Sequence, residues 1–118
     1  MVRTKHQIVV LTKKVKIFNS NIERSGSQSS YLKDMLDLNT ELTGYLSAIT
    51  DNVNVRDLFD FLTICFYEYE QFFKENSEQI LLKEEERNVL LPLAHDIVFN
   101  DIKSILEFIT NNTSNYNT

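Results

Sequence analysis

An aspartate in an apolar stripe, a single cysteine and two histidines are the residues of this chain best placed to do chemistry. Asp101 projects into the apolar arc of the last helical stretch, and a buried carboxylate must be paired, hydrogen-bonded or protonated. A lysine or tyrosine from another helix is the expected partner, and a polar contact at an interface is the alternative. Cys65 is the sole cysteine, so neither an intramolecular disulfide nor a multi-cysteine zinc site is open to the chain. Set in an apolar run with no local histidine, it reads as a small core hydrophobe rather than a nucleophile. Carboxylate-bridged two-metal bundles need Glu-x-x-His pairs on two helices. None occurs here, and His95 has Asp96 beside it rather than a carboxylate three residues before it. Loops that cradle phosphate need clustered glycines, whereas Gly26 and Gly44 stand far apart. The chain is therefore expected not to be an enzyme and to need no cofactor and no metal.

His6 lies in the N-terminal arm, and His95 lies in LPLAHDIVFNDIKS, flanked in projection by Phe99, Ile102 and Leu106. A histidine on a bundle helix raises a phosphotransfer role. That chemistry needs a cation and room for the phosphoryl group close by, and neither lysine nor glycine follows where they would be required. A histidine at the core margin, hydrogen-bonded to a neighbour, is the simpler expectation.

Charge is unevenly spread. Residues 1–24 carry Arg3, Lys5, Lys13, Lys14, Lys16 and Arg24 against Glu23, which is 6 − 1 = +5. The remainder carries six basic and sixteen acidic residues, which is −10, for a net −5. A basic arm can seek nucleic acid, since phosphate contacts need little more than such charges. Arg3, Lys5, Lys13, Lys14 and Lys16 are the candidates for that alternative function, a nucleic-acid-associated regulator. Against it, no helix-turn-helix spacing is visible and an acidic body repels a polyanion. The simpler expectation is that the basic segment packs on its own acidic body.

The elements that must position these residues are helical. At 118 residues, with 42% hydrophobic and 25% charged residues, the chain suits one domain with a real core. Two glycines and one proline are too few turn residues for an all-β fold. No stretch reaches the ~20 apolar residues of a membrane span, and the apolar run near the N-terminus is too short for a secretory signal. A soluble, intracellular, cytoplasmic protein is the expectation.

Ile8, Leu11, Val15, Phe18 and Ile22 step by three and four, as one face of a helix does. Val15–Lys16–Ile17 alternates like a strand, but the longer helical pattern outweighs it. SGSQSS at 25–30 reads as a flexible linker, with Gly26 closing the first helix and Ser29 or Ser30 capping the next. A second helix is expected over about 31–50, with Gly44 explicable by close packing against another helix. A third is expected over about 55–76, capped by Asp51 or Asn54. Ser77 is a plausible cap for a fourth. Pro92 either kinks that helix near Leu90 or opens a final one that ends near Thr110. NNTSNYNT, residues 111–118, reads as a frayed, disordered tail. The expected fold is all-α, a small antiparallel four- to five-helix bundle forming one domain over residues 1–110.

FLTICFYEYEQFF, residues 61–73, sets six rings in thirteen positions. Helical projection gathers Phe66, Tyr69, Phe72 and Phe73 into one arc of roughly 140° with other apolar residues. These four are expected in the core, and Tyr69 needs a partner for its hydroxyl. Ile64 and Tyr67 fall on the opposite, charged side, and Phe61 falls at the margin. Exposed aromatics on one helix suit an interface. The expected function is therefore that of a small non-enzymatic protein that binds another protein, as adaptor, inhibitor or regulatory subunit, or that pairs with itself as a homodimer. Phe61, Ile64 and Tyr67 are its interface candidates.

Overall fold

A computed structural model describes residues 2–26, 30–79 and 83–116. Among them there is no strand. Helices α1 (Val2–Ser25), α2 (Ser30–Ile49) and α3 (Val55–Gln79) precede a last rod in three parts. That rod comprises α4 (Glu84–His95), a π-helical segment (Asp96–Ile102) and α5 (Lys103–Tyr116). The described chain thus folds as four helical rods, 49 × 27 × 18 Å overall.

The periodic apolar residues account for the packing. Ile8, Leu11, Val15, Phe18 and Ile22 of α1 are all buried, which settles residues 7–18 as helix. They meet Leu32, Met35, Leu42 and Leu46 of α2, Leu58, Leu62, Cys65, Tyr69 and Phe72 of α3, and the last rod in one core. α1 lies alongside α2 and alongside α4 and the π segment, while α3 lies alongside the π segment and α5. Phe18 reaches Tyr69 and Phe72 across the core, with ring centroids 6.4 Å apart in both pairs.

The ends follow local chemistry. Gly26, at φ +66°, closes α1 in the left-handed region that glycine enters without steric cost. The rest of the expected linker, 27–29, lies outside the described residues, Ser29 included. Asn54 caps α3, its Oδ1 accepting the Asp57 backbone N–H at 3.1 Å. Ser77 caps nothing. It lies inside α3, which runs on to Gln79 because no glycine or proline stops it. α4 instead starts after Lys83, whose N–H donates to Glu86 Oε1 at 3.1 Å. Glu84, Glu85 and Glu86 place negative charge at its positive end.

Pro92 neither breaks the last rod nor begins it. It sits inside α4, exposed, and supplies no N–H to the Asn88 carbonyl one turn back. Four residues on, the rod widens into the π segment. Its effect on phase is direct. Eighteen residues make about five α-helical turns, so a straight helix would stack Phe108 over Leu90. Leu90 and Ile109 are buried instead and Phe108 is half-buried, the phase slip that one inserted residue produces. α5 then runs to Tyr116, beyond the end expected near Thr110, so the start of the expected tail is helical. Asparagine and threonine are only modest helix formers. Asn112 Nδ2 donates to the Phe108 carbonyl at 2.7 Å. Residues 117–118 lie outside the described residues.

One polar chain crosses the core. The Tyr69 hydroxyl donates to Asn39 Oδ1, and Asn39 Nδ2 donates to Asn19 Oδ1 at 2.8 Å. Asn39 is fully buried, so α1, α2 and α3 are tied at one level by groups that would otherwise be desolvated and unsatisfied. Gly44, by contrast, is exposed, and a Cβ there would meet nothing within 4 Å. Close helix packing is not its reason.

Candidate interaction surface

α3 buries one side and offers the other. Leu58, Leu62, Cys65, Tyr69 and Phe72 point inward at the helical period. The opposite side carries Asp57, Asp60, Ile64, Tyr67 and Glu68, all exposed. Ile64 is 61% exposed and Tyr67 60%, and three residues of spacing make them neighbours on the surface. Phe61 is placed differently: it is half-buried and stacks on Tyr45 of α2, with centroids 4.3 Å apart and planes 25° apart. The stack borders the patch. The Tyr45 hydroxyl oxygen is buried with no hydrogen-bond partner. Burial first, then the negative charges of Asp57 and Asp60, push its pKa above the ordinary 10.0.

Two of the four rings expected in the core lie at its margin instead. Phe66 and Phe73 are half-buried, packed against the core, and Phe99 of the π segment lies against them with ring centroids 6.0 and 6.1 Å away. His95 closes this group, 4.6 Å from the Phe99 ring and 6.2 Å from Phe73. It is exposed and held by rings rather than by the hydrogen bond expected of a core-margin histidine. Cys65 is 1% exposed, and burial raises its thiol to about 12, so it is a neutral core residue at physiological pH.

The basic segment is partly spoken for. Lys14 Nζ lies 2.9 Å from Asp96 Oδ2 and 2.9 Å from Asp101 Oδ2. The π segment makes this double contact possible. Residues five apart stand about 140° apart around an α-helix but only about 50° apart at π pitch, so both carboxylates reach one cation. Asp101 thereby finds the lysine partner expected of it. Asp96 is held below its ordinary 3.8, first by the Asn100 amide and then by Lys14, and Lys14 is raised above 10.5, first by Asp96. Lys5 lies 3.5 Å from Asp51 in an exposed pair. Lys13 and Lys16 are exposed on the outer side of α1, beside Val9 at 37% and Ile17 at 53% exposure, apolar residues that the stripe-based reading of α1 passes over. The side chain of Arg3 lies outside those described.

An open groove of about 400 Å³ between α3 and α5 is lined by Phe59, Lys103, Leu106, Glu107, Thr110 and Asn111. Among the described residues no three metal-ligating side chains converge, and no helix is long and apolar enough to cross a membrane. Compared with protein-family models, curated proteins and solved structures, the chain matches none.

Proposed function

We propose that this is a non-enzymatic helical protein that acts by binding another protein, as an adaptor, inhibitor or regulatory subunit, through the outer face of α3. The observation that carries the reading is the adjacent pair Ile64 and Tyr67, both about three-fifths exposed on a helix whose other side already fills the core. Burying an isoleucine-sized side chain contributes about 1.5–3 kcal/mol. An aromatic and a branched aliphatic side by side, rimmed by charge, have the make-up of an interface anchor.

The same reading takes the rods as an antiparallel bundle. In support, Lys5 of α1 meets Asp51 just past the end of α2, and Asn19 meets Asn39. Tyr45 meets Phe61 and Asn39 meets Tyr69, while Phe66 and Phe73 meet Phe99 and His95. In these three pairs residue numbers rise on one helix as they fall on the other. A scaffold tied in this way holds the α3 face rigid, which lowers the entropic cost of binding.

The test is a photo-crosslinking residue placed at Tyr67 in the native host. A discrete protein adduct that Ile64→Ser suppresses supports the reading, and an adduct pattern indifferent to Ile64 contradicts it. Exposed Lys13 and Lys16 favour a second reading, a nucleic-acid-associated regulator. It is weakened by the engagement of Lys14 and Lys5 with carboxylates. It requires binding to duplex or single strands that falls steeply with salt, and no binding at low ionic strength ends it.

A further inference from the structure

The outer faces of α1 and α3 complement each other in charge. α1 carries six basic residues and one acidic, 6 − 1 = +5, and its exposed Lys13 and Lys16 lie between exposed Val9 and Ile17. α3 carries two basic residues, Arg56 and Lys74, and six acidic, 2 − 6 = −4, and its exposed Asp60 and Glu68 flank exposed Ile64 and Tyr67. The α1 face thus sets two lysines between two apolar residues, and the α3 face sets two apolar residues between two carboxylates. Within one molecule they cannot meet. α1 and α3 touch across the core through Phe18, Tyr69 and Phe72 rather than side by side, so their outer faces point away from each other.

We propose that the occupant of the α3 face is a second copy of this chain, which lays its α1 outer face against it, head to tail. This rests on the reading of the α3 face as a protein-binding surface and names its partner. Lys13 and Lys16 of one copy lay their stems over Ile64 and Tyr67 of the next and extend their ammonium groups outward to Asp60 and Glu68, with Val9 and Ile17 at the edges of the contact. Two-fold pairing of like faces is disfavoured: α3 on α3 sets carboxylate against carboxylate, and α1 on α1 sets lysine against lysine. A contact between unlike faces is heterologous, and because the two faces point apart it leaves a free face at each end. Association therefore continues past the dimer. With few anchors the contact is small and weak, and its charges make it salt-sensitive.

The experiment is sedimentation velocity with light scattering on the full chain. Between about 20 µM and 1 mM at about 50 mM salt, the wild-type mass should climb beyond two chains, and it should fall back at about 0.5 M salt. Two variants each remove one face: Lys13→Ser/Lys16→Ser/Ile17→Ser on α1 and Ile64→Ser/Tyr67→Ser on α3. Each alone should stay monomeric, and an equimolar mixture should give a mass of two chains and stop there. Should either triple or double change impair folding, Lys13→Ser/Lys16→Ser alters only exposed lysines and should weaken association at least about fivefold. A wild type that stays monomeric across the whole range overturns the proposal. So does an α1-face variant that still dimerises, which would show like faces pairing. If the wild type is monomeric while Ile64→Ser/Tyr67→Ser melts like wild type, the self-contact fails and a different protein partner stands. If that variant melts far lower, the residues are structural and the broader reading fails with it.

Discussion

Tyr67 and Tyr69 stand two residues apart on α3 and live in opposite environments. Tyr69 is fully buried, its hydroxyl donates to Asn39, and burial pushes its pKa well above the ordinary 10.0. Tyr67 is 60% exposed, its ring beside Ile64 and its surroundings charged. The same side chain thus serves as a strut on one side of the helix and as free surface on the other. The difference comes from position alone, since two residues on a helix are about 200° apart. The buried hydroxyl requires a polar partner inside the core, and the exposed ring has water or another molecule as its surroundings.

Breaking the inner side should cost most. Asn39→Leu strands the Tyr69 hydroxyl and removes the link to Asn19, and a loss of about 2–4 kcal/mol in urea unfolding is expected. Tyr69→Phe keeps the ring and leaves Asn39 short of a donor, for about 1–3 kcal/mol. If Asn39→Leu proved neutral, the polar chain would not be what ties α1, α2 and α3.

Lys14→Met leaves Asp101 and Asp96 facing each other without their cation. About 1–2 kcal/mol is expected, moderated because Lys14 and Asp96 are partly solvated. The effect should depend on pH. Asp96 is depressed below 3.8, so its contribution is present above that value and lost as pH falls through the folded value. Lys14 is raised above 10.5, so its contribution is present below that value and lost as pH rises through the folded value. The gap between wild type and Lys14→Met should be widest between these limits and close on either side, as a series of thermal melts across pH would read out.

Gly44→Ala should stabilise by about 0.5–1 kcal/mol, since the site is open and helical and glycine there carries only an entropic cost. A loss of stability would mean that α2 packs more tightly at Gly44 than the structure has it. The outer face should respond least. Ile64→Ser should change stability by no more than about 0.5 kcal/mol while changing association.

What the sequence disclosed was periodicity. Five apolar residues at steps of three and four sufficed to place α1 and its buried side, and the same rule separated Tyr67 and Ile64 from Tyr69 and Phe72. It also anticipated a cross-helix partner for Asp101. Asn39 escaped because it is polar, although it occupies the stripe position between Met35 and Leu42 where an apolar residue would continue the pattern. Its place there, with Tyr69 known to need an acceptor, was the available signal. The π segment had no local mark. Lys14 on one side and the Phe66 and Phe73 rings on the other pack against it, and such tertiary contacts are invisible to a projection at 100° per residue. For the same reason the core placement of Phe66 and Phe73 was overestimated and the exposed apolar residues of α1 went unremarked.

The most direct test sets Tyr67→Ala beside Tyr69→Ala in one series of urea unfolding curves. Tyr69→Ala should lose about 3–5 kcal/mol, and Tyr67→Ala should stay within about 0.5 kcal/mol of wild type. Comparable losses at both positions would contradict the division of α3 into a structural side and a binding side.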